Sequence, residues 1–228
     1  MNSDRYSLFP VSESSLMLEF DKTVSIESVG YLAQQMRENV SSSSIINVVP
    51  SYRTILVQYL PFRVSESEIY KYIQSIILSF EQITLSSEDA KTLTIPVYYG
   101  KETALDLKRF EDKGIHLEQL IEVHTQPIYT VSAIGFTPGF AYLSDVPNSI
   151  SIPRHASPRL NVPAGSVAIA DSKTAVYPSD SPGGWNVIGR TPLGLFSDHA
   201  PFIPFEVGNN ITFTSISRDE FIQLGGKL

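Results

Sequence analysis

Residues 153–192 read PRHASPRLNVPAGSVAIADSKTAVYPSDSPGGWNVIGRTP, and this stretch decides the class of fold. Proline and glycine recur every few residues, and short β-branched or aromatic runs lie between them. Because glycine and proline favour tight turns, this texture is typical of many short strands. We therefore expect a closed or nearly closed β-barrel from Tyr129 onward. The predicted strands are Tyr129 to Ile134, Val167 to Ala170, Thr174 to Tyr177, Asn186 to Ile188 and Ile211 to Phe213.

The first third of the chain has a different texture, which predicts helices among strands. Hydrophobic residues alternate from Leu16 to Phe20, as in a strand with one buried face. A helix is predicted to begin after Ser25, whose hydroxyl can accept a hydrogen bond from a free backbone N–H. Ser65 and Glu68 form a capping box ahead of a second helix, which is predicted to end near Phe80.

These patterns predict the α+β class, with a small α/β N-terminal domain at residues 1–84 and a β-barrel domain at 93–228. A polar, aperiodic segment from Thr84 to Thr92 is predicted as the linker. The remaining predicted elements are a hairpin of Ile45 to Val49 with Thr54 to Tyr59, a strand at Thr94 to Tyr98, and short helices at Ala104 to Phe110 and Leu117 to Val123.

Composition excludes several classes of protein. The chain has 228 residues, of which 42% are hydrophobic and 18% charged, which is ordinary for a globular protein with a real core. Its formal net charge of -7 gives no basic surface for nucleic acid. There is no cysteine, no apolar signal-like run at the N-terminus and no long apolar stretch, so we expect a cytoplasmic protein without disulfides or a membrane span.

Three glycine- and proline-rich segments, 135–143, 153–167 and 181–192, contain the candidate functional residues. They and their surroundings combine cations with aromatic side chains. In an acidic protein, such a combination suits a small carboxylate or carboxyphosphate-like ligand. The alternative is that these loops only close a barrel and that their arginines form structural ion pairs. The cations are Arg154, His155, Arg159 and Arg190, and the aromatic residues are Phe136, Phe140, Tyr142, Tyr177 and Trp185.

Three of these cations are the predicted catalytic residues. Arg154 and Arg159 are expected to bracket an anionic substrate or intermediate, and His155 to move protons near neutral pH. Ser166 lacks the surroundings of a nucleophile elbow and is predicted to contact substrate only. The full set of predicted substrate-binding residues is Phe136, Pro138, Gly139, Phe140, Tyr142, Ser166, Tyr177, Gly183, Gly184, Trp185 and Arg190.

No motif for a metal or a nucleotide is found in the sequence. His116, His124, His155 and His199 are scattered, without the spacing of a zinc site. The P-loop pattern G-x-x-x-x-G-K-[ST] is absent as well. We therefore predict no metal site and no ATP site of the P-loop type in this chain.

The three segments closely resemble the signature stretches of the KipI-like (allophanate hydrolase subunit 1) family. Those stretches read GF-PGF-YL, then PR-TPR--VPAGSV, then YP--SPGGW--IGRTP, and this chain has them in the same order and spacing. The tail from Val207 to Phe213 is similar to the family's closing segment. The family pattern also covers His124 to Pro127 and, more weakly, the N-terminal third.

The resemblance implies a small α/β domain followed by a cyclophilin-like β-barrel, together forming subdomains C and D of a carboxyltransferase domain. It implies two partner subunits, one KipA-like and one LamB/YcsF-like. Such complexes open 5-oxoproline (pyroglutamate) to L-glutamate while hydrolysing ATP. The expected role is therefore that of a polypeptide that is not catalytic alone and contributes part of a composite active site.

Two other functions stay open. A few members of the family inhibit a sporulation sensor histidine kinase, which would then be the partner. Peptidyl-prolyl isomerase activity rests on the cyclophilin-like fold alone. The chain also departs from the family, since Asp171 and Ala175 replace glycines and Lys173 replaces a glutamine. If those glycines have positive φ, Ala175 is strained and Asp171 is better tolerated.

Overall fold

The computed structural model describes residues 2–3, 5–38, 44–80, 91–196 and 205–228. The chain forms two compact units, residues 1–91 with 207–209 and residues 92–206 with 210–228. Both contain helices and mostly antiparallel strands, so the predicted α+β class is confirmed. The domain limits 1–84 and 93–228 stay a prediction. Most of the predicted linker lies outside the described residues, and its last residue, Thr92, begins a strand.

The N-terminal unit is an antiparallel sheet with two helices. Its elements are β1 (Asn2–Ser3), β2 (Tyr6–Ser12), β3 (Ser15–Phe20), α1 (Ile26–Glu38), β4 (Ile45–Ser51), β5 (Thr54–Tyr59) and α2 (Glu66–Phe80). Neighbouring strands follow the order β1-β2-β3-β5-β4. The predicted hairpin is confirmed, because β4 and β5 pair in antiparallel fashion around a turn at Tyr52 and Arg53.

Both predicted helix caps of this unit are confirmed. The hydroxyl of Ser25 accepts a hydrogen bond from the Ser28 backbone N–H at 3.2 Å. Ser65 and Glu68 bond reciprocally: the Ser65 N–H donates to the Glu68 carboxylate at 2.8 Å, and the Ser65 hydroxyl accepts from the Glu68 N–H at 3.4 Å. Each cap satisfies backbone donors that the first helical turn leaves unpaired.

The core of the N-terminal unit is one cluster of hydrophobic side chains. Leu16, Leu18 and Phe20 lie on one face of β3 and are buried, because alternate residues of a strand share a face. Both helices contribute to the same cluster, as expected for a small sheet covered on one side. Its buried members from the helices are Val29, Leu32, Ala33 and Met36 of α1 and Ile69, Ile73 and Ile77 of α2.

The C-terminal unit contains the remaining elements. They are β6 (Thr92–Val97), α3 (Leu107–Glu111), α4 (Leu117–Thr125), β7 (Tyr129–Ile134), β8 (Ala141–Asp145), a 3₁₀ turn (Asn148–Ile150), β9 (Arg159–Val162), β10 (Ser166–Ala170), β11 (Lys173–Val176), β12 (Ser181–Gly183), β13 (Asn186–Arg190), β14 (Asn210–Ser215) and α5 (Arg218–Gln223). All five strands predicted from Tyr129 onward are present within a few residues of their expected limits. The strands β8, β9 and β12 were not predicted.

Seven strands of this unit form a closed ring. The pairing runs β6-β14-β7-β8-β11-β10-β13, and only β6 and β14 are parallel. Tyr98, directly after β6, then pairs with Arg190 of β13 through two backbone hydrogen bonds of 2.8 and 2.9 Å. This bridge returns the last strand to the first and removes the open edges of the sheet. The predicted closed barrel is confirmed in this sense, whereas its likeness to cyclophilin stays a prediction.

A buried chain of polar side chains crosses the C-terminal unit. Tyr99 donates its hydroxyl hydrogen to Nδ1 of His124 at 2.9 Å, and Nε2 of His124 donates to the Thr174 hydroxyl at 3.0 Å. Thr174 in turn donates to the Ala168 carbonyl at 3.1 Å, which fixes the direction of the chain. Complete burial lowers the pKa of His124 to about 3, so the ring is neutral at physiological pH.

The two departures from the family's glycines have different consequences. Asp171 lies in the tight turn between β10 and β11 with φ of +52°, a region that aspartate tolerates better than most residues. Ala175 lies buried in β11 and is not among the described residues with positive φ. The expected strain at Ala175 is therefore absent. Lys173 forms an ion pair with Asp145 at 2.8 Å, across the pairing of β11 with β8.

Within the described residues, none of the helices combines the length and the apolar content needed to cross a bilayer.

Candidate functional site

The turn between β7 and β8 presents an exposed aromatic ring. Phe136 has φ of +72°, a left-handed conformation that is uncommon for a bulky residue, and 65% of its surface is exposed. The turn is closed by the Gly135 N–H, which donates to the Phe140 carbonyl at 3.1 Å, and by the Phe140 N–H, which donates to the Thr137 carbonyl at 3.0 Å. A strained, exposed phenylalanine is typical of a position retained for binding and not for folding.

Phe140 is the centre of an aromatic cluster below this turn. Its ring is 1% exposed and lies at the hydrophobic core that Val162, Ala168 and Val187 help to form. Four other aromatic rings meet it edge to face, an arrangement in which the positive ring edge faces the negative ring face. The centroid distances from Phe140 are 5.3 Å to Phe136, 5.0 Å to Tyr142, 5.2 Å to Tyr177 and 5.7 Å to Trp185.

This aromatic cluster forms the wall of a cavity of about 280 Å³. The cavity lies entirely within the C-terminal unit and brings together residues from all three glycine- and proline-rich segments. Eight predicted site residues line it, together with two prolines of the same segments. The lining residues are Phe136, Phe140, Tyr142, Arg154, Pro158, Tyr177, Pro182, Gly183, Gly184 and Trp185.

Arg154 is the cation of the cavity. Among the described residues, no carboxylate lies within ion-pair distance of its guanidinium. A Cβ at Gly184 would lie 3.6 Å from two guanidinium nitrogens of Arg154, which is ordinary contact, so the Gly184 backbone lies directly beside the arginine. The Gly184 carbonyl also accepts the His155 N–H at 2.7 Å, which joins the two loops beside the guanidinium.

The other two predicted catalytic residues bind a buried carboxylate instead. Arg159 grips Asp106 in a bidentate pair, with Nη1 at 2.8 Å from Oδ2 and Nη2 on Oδ1. His155 Nε2 donates to Oδ1 of Asp106 at 2.8 Å, and the Val187 backbone N–H donates to Oδ2 at 2.7 Å. The structure therefore does not place Arg154 and Arg159 around one anion, because the charge of Arg159 is already paired.

Tyr177 supplies a neutral hydroxyl to the cavity. Burial raises the pKa of its phenol, while a backbone hydrogen bond from Trp185 and the charges of Arg154 and Arg159 act in the opposite direction. Gly183 allows this position, because a Cβ there would lie 2.3 Å from the Tyr177 oxygen. The phenol keeps its proton at neutral pH and can donate a hydrogen bond.

Four predicted substrate-binding residues lie outside the cavity lining. Ser166 is buried at the start of β10, and its carbonyl accepts the Tyr177 N–H at 2.9 Å. Arg190 holds the backbone, with Nε on the Ala164 carbonyl and Nη1 on the Lys227 carbonyl, both at 2.8 Å. The remaining two are Pro138, which is exposed, and Gly139, which is buried.

Asp106 is the residue that sequence reasoning missed. It lies just before α3, in a segment predicted as an ordinary short helix, and is 4% exposed. Its partners, His155 and Arg159, follow it by 49 and 53 residues. No spacing rule connects such distant positions. The only available signal was an acidic residue beside Leu105 and Leu107 in a short predicted helix.

The comparisons with known proteins identify the family of this chain. Residues 6–203 match the family described as "Carboxyltransferase domain, subdomain C and D". The chain belongs to this family. The predicted resemblance to the KipI-like proteins is thereby confirmed at the level of the carboxyltransferase domain.

Two curated bacterial relatives of this carboxyltransferase-domain chain carry the name of the B subunit of 5-oxoprolinase. The protein from Bacillus subtilis is 31% identical, and the match covers 95% of each chain. The protein from Haemophilus influenzae is 33% identical over 91% of this chain and 96% of the relative. By these names, each of the two relatives is one subunit of an enzyme.

Solved structures show the same fold. The crystal structure of TTHA0988 matches 89% of this chain with a TM-score of 0.75 and 30% identity, and this chain spans 40% of that protein. Kluyveromyces lactis urea carboxylase matches 96% of this chain with a TM-score of 0.61 and 12% identity, over 22% of its own length. At that identity the second likeness concerns the fold alone.

Proposed function

We propose that this chain is the B subunit of an ATP-dependent 5-oxoprolinase, which opens 5-oxoproline to L-glutamate together with a KipA-like and a LamB/YcsF-like partner subunit. The observation that carries the proposal is the small aromatic cavity with Arg154 as its cation, in a chain whose relatives have that name. The cavity is the substrate-facing surface that this polypeptide contributes.

The cavity matches the chemistry of 5-oxoproline. That molecule is a nearly flat five-membered lactam with one carboxylate, so it needs apolar walls for its ring and one cation for its charge. A guanidinium can bind a carboxylate through two parallel hydrogen bonds, which fixes the orientation of the ring. The volume of about 280 Å³ is at the small end of ligand pockets, as expected for so small a substrate.

Ring opening requires stabilisation of negative charge on the lactam oxygen. Water adds to the lactam carbonyl, the ring C–N bond breaks, the carbonyl carbon becomes a second carboxylate and the nitrogen becomes the free amine. Hydrogen-bond donors already in place lower the barrier as the charge develops. Tyr177 supplies such a donor at the cavity, while Arg154 holds the substrate carboxylate. ATP transfers its γ-phosphoryl group to the lactam oxygen and leaves as ADP, water adds to this activated carbon as the C–N bond breaks, and a second water hydrolyses the resulting acyl phosphate to the carboxylate and phosphate.

The cavity supports a composite active site. Among the described residues that line it, there is no carboxylate, histidine, lysine or serine. These are the side chains that most often activate a water molecule or a nucleophile. The groups that activate water and handle ATP therefore come from the partner subunits in this proposal.

Reconstitution with the KipA-like and LamB/YcsF-like partners tests the proposal. We expect 5-oxoproline-dependent ATP hydrolysis and glutamate formation only when this chain is present with both partners. Arg154→Ala should raise KM for 5-oxoproline roughly 100-fold, because a charge-assisted pair with the substrate carboxylate is lost. Arg218→Ala is the matched control, since Arg218 lies in the same unit but pairs with Glu102 at the surface.

The proposal is overturned if omission of this chain leaves 5-oxoproline-dependent ATP hydrolysis unchanged. It is also overturned if Arg154→Ala and Arg218→Ala give the same KM as the wild-type complex. A pull-down with the dimerisation domain of a sensor histidine kinase, made with the same preparation, reveals a regulatory function in that case.

A further inference from the structure

We infer that Asp106 is a positioning residue that holds Arg154 in the cavity through the loop at residues 153–159. Asp106 does not line the cavity and has no contact with the substrate in the proposed function. It acts through His155 and Arg159, which follow Arg154 in the chain and bind its carboxylate.

The carboxylate of Asp106 is almost completely engaged by this one loop. Its side chain is 3% exposed, and three of its four hydrogen bonds come from His155 and Arg159. The fourth comes from the Val187 N–H at 2.7 Å, and the Asp106 N–H donates to the Val187 carbonyl at 3.0 Å. Asp106 thus connects the loop to β13, a strand of the closed ring.

Arg154 lies between two anchored residues of that loop. On one side, the Pro153 carbonyl accepts a hydrogen bond from the Asn186 side chain at 3.2 Å. On the other side, His155 makes two hydrogen bonds. Its backbone N–H donates to the Gly184 carbonyl, and its ring donates to the Asp106 carboxylate. A backbone fixed on both sides limits where the exposed Arg154 guanidinium can point.

Asp106 also determines which cation is available to a ligand. Its charge is opposite to that of Arg159, and the bidentate geometry turns the Arg159 guanidinium toward it and out of the cavity lining. Without the carboxylate, Arg159 is free to compete for the same anion, and the loop loses its link to β13. A change at Asp106 should therefore alter substrate binding first, and alter the chemical step much less.

The first test is kinetic and rests on the proposed function. In the complex with both partner subunits, Asp106→Asn should raise KM for 5-oxoproline about tenfold and change kcat by less than about threefold. Asp112→Asn is the control, because that carboxylate is 62% exposed and pairs with Lys108 at the surface. Its KM should equal that of the wild type.

The double variant distinguishes positioning from a general structural role. If Asp106 acts through Arg154, adding Asp106→Asn to Arg154→Ala should not raise KM further, because coupled residues are not additive. A KM for the double variant that equals the product of the two single effects overturns the inference. So does a single Asp106→Asn variant that lowers kcat with an unchanged KM.

The second test needs no catalysis and separates this inference from the proposed function. Trp185 is the single tryptophan of the chain and lines the cavity next to Gly184, so its fluorescence reports on the loop contact. In the purified chain, Asp106→Asn should increase acrylamide quenching of Trp185 about twofold, because the bond from the His155 N–H to the neighbouring Gly184 carbonyl then opens more often. Asp112→Asn should not.

The kinetic test and the quenching test can fail independently of each other. If the reconstituted complex shows no dependence on this chain, the proposed function fails, and the quenching result alone decides the role of Asp106. Wild-type quenching in Asp106→Asn overturns the inference. If that variant does not fold, Arg159→Lys replaces it, since Arg159 is 31% exposed and lysine cannot form the bidentate pair. The same changes in KM and quenching are then expected, and their absence overturns the inference.

Discussion

The two compact units bury different kinds of side chain. In the N-terminal unit the core cluster is hydrophobic throughout, and Ser15 is the one buried polar residue among those described. The C-terminal unit buries eight described polar or charged residues: Thr103, Asp106, His124, Ser132, Ser166, Thr174, Asn186 and Thr191. Since a buried polar group costs free energy unless it is bonded, such groups occur where a structure needs specific geometry.

This difference indicates that the two units contribute differently to stability and to ligand binding. The N-terminal unit is stabilised by packing of helices on a sheet, which tolerates changes that keep volume and hydrophobicity. In the C-terminal unit, directed bonds fix the loops that form the cavity. Substitutions in the first unit should therefore change stability, whereas substitutions in the second should change ligand binding or pH dependence.

The largest effect on stability is expected from the hydrophobic core of the N-terminal unit. Ile77→Ala should lower the free energy of unfolding by about 3 kcal/mol, because it leaves a cavity below α2. Leu78→Ala is the matched control, since the next residue of the same helix is 60% exposed. Urea unfolding followed by circular dichroism measures both. Equal losses in the two variants would contradict the assignment of the core.

The buried histidine predicts an acid sensitivity of the C-terminal unit. The pKa of His124 is near 6.5 in the unfolded chain and about 3 in the folded one, so the unfolded state binds the proton first as pH falls. The contribution of neutral His124 to the free energy of unfolding is therefore fully present above pH 6.5, and it is lost as the pH falls from 6.5 to about 3. Between about pH 7 and pH 5 the loss should be about 2 kcal/mol.

Unfolding experiments at several pH values test this loss. His124→Gln should have a flatter pH dependence than the wild type, because glutamine donates and accepts hydrogen bonds without titrating. His116→Gln, at a position outside the core, controls for the removal of a histidine. An unchanged slope in His124→Gln would assign the acid sensitivity to other groups.

A change at the strained turn should separate binding from stability. Phe136→Gly removes the cost of positive φ but also one wall of the cavity. We expect KM for 5-oxoproline to rise about tenfold, which equals about 1.4 kcal/mol, with a free energy of unfolding close to that of the wild type. Phe62→Gly, at an exposed position of the N-terminal unit, should leave KM unchanged. If Phe136→Gly lowers the free energy of unfolding and leaves KM unchanged, Phe136 is a structural residue.

The smallest effect is expected at the capping box of α2. Ser65→Ala should lower the free energy of unfolding by about 1 kcal/mol, because a backbone N–H of the first turn loses its acceptor. Ser79→Ala, at an exposed position near the other end of the helix, should change it by less than about 0.5 kcal/mol. KM should not change in either variant. A change in KM for Ser65→Ala would contradict the conclusion that the N-terminal unit affects stability and not ligand binding.

Local patterns predicted the elements of both units well. Alternation located β3, and the caps at Ser25 and Ser65 located the starts of α1 and α2. The turns between short β-branched runs predicted the closed ring of strands. These features depend on neighbours within a few residues, which is the range that a sequence pattern can report. The strands β1, β2, β8, β9 and β12 and the helix α5 were not predicted. Of these, β9 and β12 lie among prolines and glycines and contain almost no β-branched residues.

The candidate site was predicted as a set of residues but not as an arrangement. The three loop segments do meet, since eight of the predicted residues line one cavity. The two arginines do not lie together, however. Arg154 lies beside the aromatic rings, whereas Arg159 pairs with Asp106, a carboxylate 53 residues earlier in the sequence. A cation is equally compatible with a ligand or an ion pair until its neighbours in space are known.

The amino-acid sequence by itself determined most of the secondary structure, the glycine and proline turns and the resemblance to one family of proteins. Each of these depends on local backbone preferences or on residues in a fixed order. Only the tertiary structure decided that Asp106 pairs with Arg159 and that Arg154 stays available, because electrostatic pairing depends on distance in space and on exclusion of water. The closure of the strand ring brings these residues together.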